Sequence, residues 1–358
     1  MRTKQRGPWR LLALLLTLTL IAAACGDDDD GGDDTAGSGD DTSAEVSGEV
    51  NVSGSSTVAP ISTAVAELFQ EQNGDVTVNV DGPGTGDGFE LFCNGETDIS
   101  DASRPIEQEE IDACEQNGIE FVELKIAFDG ISVLTNPANE DVTCLTFADL
   151  YALAGPESEG FSDWSDAQAL ATELGSTTEL PDASLDVTAP GEESGTYDSF
   201  IEIVFGDIAE ERVTAGSITE DQAETTRPDY QASADDNVII EGIGGSDTSL
   251  GWVGFAFAEE AGDTVKELEV DGGDGCVAPS AETIADGSYP VSRGLYIYVS
   301  TTAAEENPAV AAYVDYYLGD EGIGQVEEVG YVALPDDQFS ETTTAWEDRT
   351  AGTRETAG

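Results

Sequence analysis

Apolar positions along this chain switch repeatedly between two-residue alternation and helical spacing. The stretches EVNVSG, DVTVNVDG, EFVELKIAFDGISVLTN, SLDVTAP, NVIIEGIGG, LGWVGFAF and RGLYIYVS are rich in β-branched or aromatic residues and bounded by Gly, Asn or Pro, which predicts strands. Between them, PISTAVAELFQEQ puts Ile61, Val65, Leu68 and Phe69 at i, i+4, i+7 and i+8, with Pro60 near the first turn. NPAVAAYVDYYLG repeats the pattern with Val310, Tyr313, Val314, Tyr317 and Leu318, opened near Pro308 and closed by Gly319. SGTYDSFIEIVF does so with Tyr197, Phe200, Ile201, Val204 and Phe205. These stripes read as core-facing sides of helices, and Trp252 and Tyr197 as core or cleft wall. Strands alternating with helices predict an α/β protein with mostly parallel sheets. There is no internal repeat.

The two ends break the pattern. Arg2, Lys4, Arg6 and Arg10 precede the apolar run LLALLLTLTLIAAA, which is short for a membrane span, so residues 1–24 read as a signal peptide. The run ends AAAC at Cys25, which resembles the lipobox of bacterial lipoproteins, with Ala22 where leucine is usual; Cys25 is the expected site of acylation. Residues 25–45, with GDDDDGGDDTAGSGDDTSAE, are too acidic and Gly/Ser-rich to bury a core and read as an extended tether. From about 340 the sequence SETTTAWEDRTAGTRETAG reads as a polar tail, in which Trp346 is a residue able to dock.

A length of 358 residues suggests two compact lobes, and 39% hydrophobic residues suffice for a sizeable core. Charge changes the picture most. The chain holds 12 Lys and Arg against 75 Asp and Glu; losing residues 1–24 removes four cations and no acid, leaving 8 against 75 and a net charge of −67. Such a surface suits high salt, which screens its self-repulsion. It excludes nucleic acid as a partner, because phosphate neutralisation needs clustered cations. Histidine is absent, which removes the commonest general base and metal ligand. Beyond Cys25 four cysteines remain, Cys93, Cys114, Cys144 and Cys276; with no CxxC they suggest two disulfides in one of three pairings rather than a metal site.

Three times a strand runs through a small-residue loop into a helix: VNVSGSSTVAPISTAV, VTVNVDGPGTGDGFELF and LDVTAPGEESGTYDSFI. In open α/β sheets these junctions lie at the carboxyl edge, where ligands bind. Helix N-termini present unpaired N–H groups and partial positive charge, and Ser and Thr add hydroxyl donors, so each junction is a candidate anion cradle. None carries the GK[ST] of a nucleotide-hydrolysing P-loop. The cations of the folded part are Arg104, Lys125, Arg212, Arg227, Lys266 and Arg293. Arg104, in TDISDASRPI, could give a bidentate bond to an oxyanion. Arg293 reads as a structural partner of a carboxylate and stays outside the expected site.

The ordered set GSSTVAP, GPGTGDG, TDISDASRP, ESGTYDSF and LGWVGFAF, with the GCVAPSAETI stretch at Cys276 to Ile284, resembles the phosphate-binding lipoproteins of ABC importers over roughly residues 48–335. The resemblance implies a two-lobed type II periplasmic binding protein fold with a ligand cleft between the lobes. It divides the chain into 46–129 and 295–340 for lobe 1 and 130–294 for lobe 2, with 341–358 as the tail. Chain crossings near AFDGIS and SRGLYIY would form the hinge. Carried over by motif, phosphate would meet Ser56, Thr57 and the Val58 amide, then Thr85, Ser103 and Arg104, and lastly Ser194, Gly195 and Thr196. It further implies no catalysis, cofactor or metal, a monomer held at the outer face of the cell membrane by its lipid alone, and the importer's membrane subunits as partners.

The chain departs from better-known members at two places: Pro190 stands where an arginine precedes the SGT segment, and Arg104 where an aspartate follows the serine of SRP. The acceptor for the proton of monohydrogen phosphate is therefore open among Glu193, Glu192 and Asp101. Such an acceptor excludes sulfate, which has no proton to offer at neutral pH. Within the same frame the preferred disulfides are Cys93–Cys114, closing a short loop around DISDASRP, and Cys144–Cys276 in the other lobe. Alternative readings keep the fold with sulfate, molybdate or a phosphorylated organic ligand, make the chain an adhesin, or make Ser194 the nucleophile of a secreted hydrolase. The last lacks an activating base.

Overall fold

The computed structural model describes residues 46–192 and 194–354. The expected signal peptide, tether and Cys25, and also Glu193, lie outside the described residues. Among those described, no helix is long and apolar enough to cross a membrane.

The strands are β1 (Gly48–Gly54), β2 (Val76–Asp81), β3 (Ile99–Ala102), β4 (Phe121–Thr135), β5 (Cys144–Thr146), β6 (Asp186–Pro190) and β7 (Gln231–Ser233). They continue with β8 (Ser249–Gly254), β9 (Lys266–Glu267), β10 (Glu269–Asp271), β11 (Cys276–Val277), β12 (Ser292–Ser300) and β13 (Val332–Ala333). A mixed sheet runs β2-β1-β3-β12-β4-β8-β6-β7, and β9 and β13 also pair with β4. The expected parallel pairing holds at its flanks, where β1 joins β2 and β3, and β6 joins β7 and β8. At the centre it fails: β12 is antiparallel to both β3 and β4, and β4 is antiparallel to β8. The chain returns there through β12 without the crossover helix that parallel pairing needs.

The 15-residue β4 organises the molecule. Its near-continuous apolar run is buried on both faces, as a central strand requires. Phe121–Gly130 pair with β12, and from Ile131 the partner becomes β8. Its first half packs Val122, Leu124 and Ile126 with Val50, Val52, Ile61, Val310 and Trp346. Its second half packs Ile131 and Val133 with Leu150, Trp164, Phe200 and Trp252. One strand thus feeds two cores, one in each lobe.

Two stretches differ from the sequence reading. NVIIEGIGG is a helix, Asp236–Gly244: Asp235 accepts the Asn237 amide at 3.0 Å, and Ile239 and Ile243 are buried one turn apart. A short apolar run does not distinguish strand from helix by period alone. The expected polar tail is in its described part a helix, Asp336–Glu347, laid against β4. Trp346 is 4% exposed and donates its indole N–H to Asp315 at 2.6 Å. Both preferred disulfides are present, Cys93–Cys114 and Cys144–Cys276; the second ties β5 to β11.

Candidate anion-binding cleft

The loop Ser55–Val58 joins β1 to the helix Ala59–Gln72. The Ser55 amide donates to the Asp101 carbonyl at 2.8 Å, fixing the loop on the end of β3. Gly54 makes this approach feasible, since a Cβ there would stand 2.0 Å from that carbonyl oxygen at φ +150°. Within the loop, the Thr57 amide donates to Ser55 Oγ at 3.2 Å, and the Val58 amide to the Ser55 carbonyl at 3.2 Å. The Val58 amide is therefore already used by the turn, and Ser56 and Thr57 offer hydroxyls.

Thr85 opens the helix Thr85–Cys93. Its Oγ1 lies 3.0 Å from Ser103 Oγ and accepts the Ser103 amide at 3.2 Å, so these two predicted residues form one unit. The Gly84 amide donates to the Gly54 carbonyl at 2.9 Å and holds this loop beside the first. In the other lobe, Ser194 caps the helix Gly195–Phe200, accepting the Thr196 amide at 3.2 Å. A Cβ on Gly195 would lie 3.5 Å from the Ser56 carbonyl oxygen and 3.8 Å from the Tyr331 hydroxyl.

The loops thus face each other across the lobes. Ser56 Oγ donates to Asp198 at 3.1 Å, and Thr57 Oγ1 lies 3.2 Å from Ser199 Oγ. Beside them opens a cavity of about 640 Å³, lined among others by Thr85, Ser103, Arg104, Glu202, Ile203 and Arg293.

Other predicted residues sit differently. Arg104 gives both terminal nitrogens to Glu110, at 2.9 and 2.7 Å, and its Nε is 3.4 Å from Glu107. Glu110 also accepts the Glu107 amide at 2.8 Å, closing the capping box of the helix Gln108–Asn117. Asp101 is fully buried behind the first loop, accepting Ser62 Oγ at 3.0 Å, and burial raises its carboxyl to about 7. It does not line the cavity, and Glu192 is exposed on its loop.

Arg293 pairs with carboxylates as expected, and with Asp129, Asp198 and Tyr331, which the motifs do not mark, it lies beside the facing loops. Arg293, at the start of β12, donates to Thr57 Oγ1 at 3.1 Å and Ser199 Oγ at 2.7 Å, and also pairs with Glu202. Its register partner Asp129 is buried, with Oδ2 3.5 Å from Arg293 Nε. Burial pushes the Asp129 carboxyl upward against the pull of Arg293. Asp198 is likewise raised by burial, partly offset by the Ser56 hydrogen bond. Tyr331 precedes β13, which pairs with β4, and its hydroxyl lies beside Gly195. The crossing segments AFDGIS and SRGLYIY contained two of these residues, and a charged pair at a hinge was the available signal.

A two-lobed α/β body with Ser- and Thr-bearing loops facing across a cleft defines a substrate-binding protein. A family model described as a PBP superfamily domain matches residues 39–321. Protein SphX of Synechocystis sp. is 37% identical over 301 residues, 84% of this chain and 82% of that protein. The phosphate-binding protein PstS of Staphylococcus saprophyticus is 34% identical over 315 residues, 87% of this chain and 88% of its own length. Among solved structures, one described as a possible phosphate binding protein from Planctomyces limnophilus superposes with a TM-score of 0.75 at 33% identity, covering 85% of this chain and 99% of that one. The chain belongs to the PstS family of the PBP superfamily.

Proposed function

We propose that the protein captures inorganic phosphate outside the cytoplasm and delivers it to the membrane subunits of an ABC importer. The carrying observation is the meeting of the two loops, Thr57 Oγ1 3.2 Å from Ser199 Oγ and Gly195 against Ser56, which brings hydroxyl groups from both lobes together. Ser56, Thr57, Ser194, Gly195 and Thr196 bind the anion directly; the Thr85–Ser103 unit forms the adjoining wall. Local donors suffice because the charge of the acidic body is screened beyond about 10 Å at moderate salt.

Asp198 takes the proton of monohydrogen phosphate in this reading. It already accepts a hydroxyl proton from Ser56, it faces the opposite lobe, and it is only partly buried. The protein acts without catalysis: Ser194 serves as helix cap, with its oxygen on the Thr196 amide. Cys25 carries the lipid that holds a monomer at the outer membrane face, with lobe boundaries near residues 130 and 294, where β4 exchanges partners and β12 begins.

Calorimetry with phosphate, arsenate and sulfate in separate titrations tests the reading. Saturable one-site phosphate binding at several salt concentrations, with sulfate excluded, is expected. Preferential binding of sulfate or molybdate would transfer the site to another oxyanion, and no small-anion binding would end the reading.

A further inference from the structure

We propose that Arg293 is the cation that grips the anion in the cleft and that Glu202 is its internal counter-ion, displaced when the ligand enters. The proposal rests on the phosphate-capture reading and assigns to it two residues that the motif resemblance leaves out.

Two guanidinium groups line the cleft cavity, Arg104 and Arg293. Arg212 is committed to Glu157 and Glu173, and Arg227 to Asp229 and the Phe161 carbonyl, while Arg349 lies over the Trp346 ring and Arg354 beside Thr342, away from the cleft. Arg104 is committed as well. Its fork lies on Glu110, whose side chain is 18% exposed and which also closes a capping box. Freeing Arg104 for a ligand would strand a half-buried carboxylate and loosen the start of a helix.

Arg293 is held quite differently. One terminal nitrogen pairs with Glu202, whose side chain is 59% exposed; the other donates to the neutral hydroxyls of Thr57 and Ser199, one from each lobe. Exposed ion pairs contribute little, and a displaced Glu202 is simply hydrated. A hydroxyl that accepts from Arg293 can turn and donate to an oxyanion, since it carries both a proton and lone pairs. Meanwhile Asp129 anchors the guanidinium from behind, 3.5 Å from its Nε, within paired backbone. Neither Asp129 Oδ2 nor Arg293 Nε has a hydrogen-bond partner, so a small shift of Arg293 off Glu202 can close that contact.

An incoming tetrahedral oxyanion would therefore find one pre-aimed guanidinium edge and two hydroxyls, in the place now taken by the Glu202 carboxylate. Planar bidentate recognition is what arginine supplies and lysine does not. Glu202 acts as an intramolecular competitor: it lowers apparent affinity and keeps Arg293 neutralised while the cleft is empty.

The test is phosphate calorimetry on the purified protein and three variants, each checked for folding by circular dichroism. Glu202→Gln, at an exposed position, should tighten phosphate binding by about threefold or more. Arg293→Gln should weaken it by about 100-fold, at least tenfold more than Arg104→Gln does. Unchanged or weaker binding in Glu202→Gln overturns the counter-ion role whether or not Arg293→Gln folds. A larger loss in Arg104→Gln than in Arg293→Gln overturns the assignment of the cation while leaving phosphate capture standing. Absence of phosphate binding by the unmodified protein would instead remove the underlying reading, and this inference with it.

Discussion

Ser56 and Asp198 stand 142 positions apart in sequence, and the hydroxyl of the first donates to the carboxylate of the second at 3.1 Å, closing one lobe on the other. The bond matters chemically because a carboxylate can only accept. A ligand that takes the place of Ser56 must bring a proton of its own, which monohydrogen phosphate has and sulfate lacks.

Replacing Asp198 with Asn supplies a donor in nearly the same shape. Sulfate, expected to be excluded by the unmodified protein, should then bind, and the preference for phosphate should fall by roughly 100-fold or more. Titration of both anions into Asp198→Asn checks this. Continued exclusion of sulfate would move the acceptor role to another group.

A second expectation concerns pH. Asp101 is fully buried behind the ligand loop, with one oxygen on Ser62 and the other without a hydrogen-bond partner, near the buried hydroxyls of Tyr313 and Tyr317. Its folded-state value of about 7 lies above the ordinary 3.8 of the unfolded chain. The folded state therefore holds the extra proton between these values. This group's contribution is complete below about 4 and is lost as the pH rises through 7, at most roughly 4 kcal/mol. Urea unfolding at pH 4.5 and 7.5 should show that Asp101→Asn flattens the pH dependence relative to the unmodified protein. An unaltered slope would mean that Asp101 is ionised throughout.

The disulfides give a third. Cys144–Cys276 spans 132 positions and Cys93–Cys114 spans 21. Loop-closure entropy assigns about 5 kcal/mol to the longer and about 3 kcal/mol to the shorter. The double change Cys144→Ser with Cys276→Ser should lower the urea midpoint more than Cys93→Ser with Cys114→Ser. The reverse order would show that strain or residual unfolded structure governs here.

What could be read from the sequence was whatever is local. The stripe Ile61, Val65, Phe69 predicted its helix because tertiary burial follows the same 3.6-residue period, and all three are buried. The strand–helix junctions were legible because Gly, Ser and Thr are the residues that turn the chain and cap a helix start. Register was not. Arg293 and Asp129 become neighbours only when β12 pairs antiparallel with β4, and nothing within either segment specifies that partner. The pairing of Arg104 with Glu110, six positions on, has a local basis that sequence does carry, since Glu107 and Glu110 form the capping box that opens the helix Gln108–Asn117. The end of the chain was misjudged on composition. SETTTAWEDRT is polar, yet Trp346 and Ala345 in the core, with the Thr342 hydroxyl on the Lys125 carbonyl, dock it.

That docked segment supplies the last expectation. Trp346 is 4% exposed within the core of the first lobe, its indole N–H on Asp315 and the Arg349 guanidinium 3.4 Å over its ring. Beyond it, Gly352 donates its amide to the Phe121 carbonyl at 2.8 Å, and Glu123 of β4 accepts from Thr353 Oγ1 at 2.7 Å and the Arg354 amide at 2.9 Å. Glu123 is 1% exposed, so these bonds solvate a buried carboxylate. Trp346→Ala removes about 3–5 kcal/mol of packing. Deleting residues 350–358 leaves Trp346 in place but takes two donors from Glu123, about 1–3 kcal/mol and more if the carboxylate stays charged. Both changes lie on the face of β4 packed by the helix Asp336–Glu347, away from the residues lining the cleft. Thermal unfolding should therefore fall in both variants, further in Trp346→Ala, while phosphate affinity measured well below the transition stays within about threefold of the unmodified protein. A truncated chain as stable as the full one would show that water replaces the lost donors and that the terminal segment is not part of the lobe's stability.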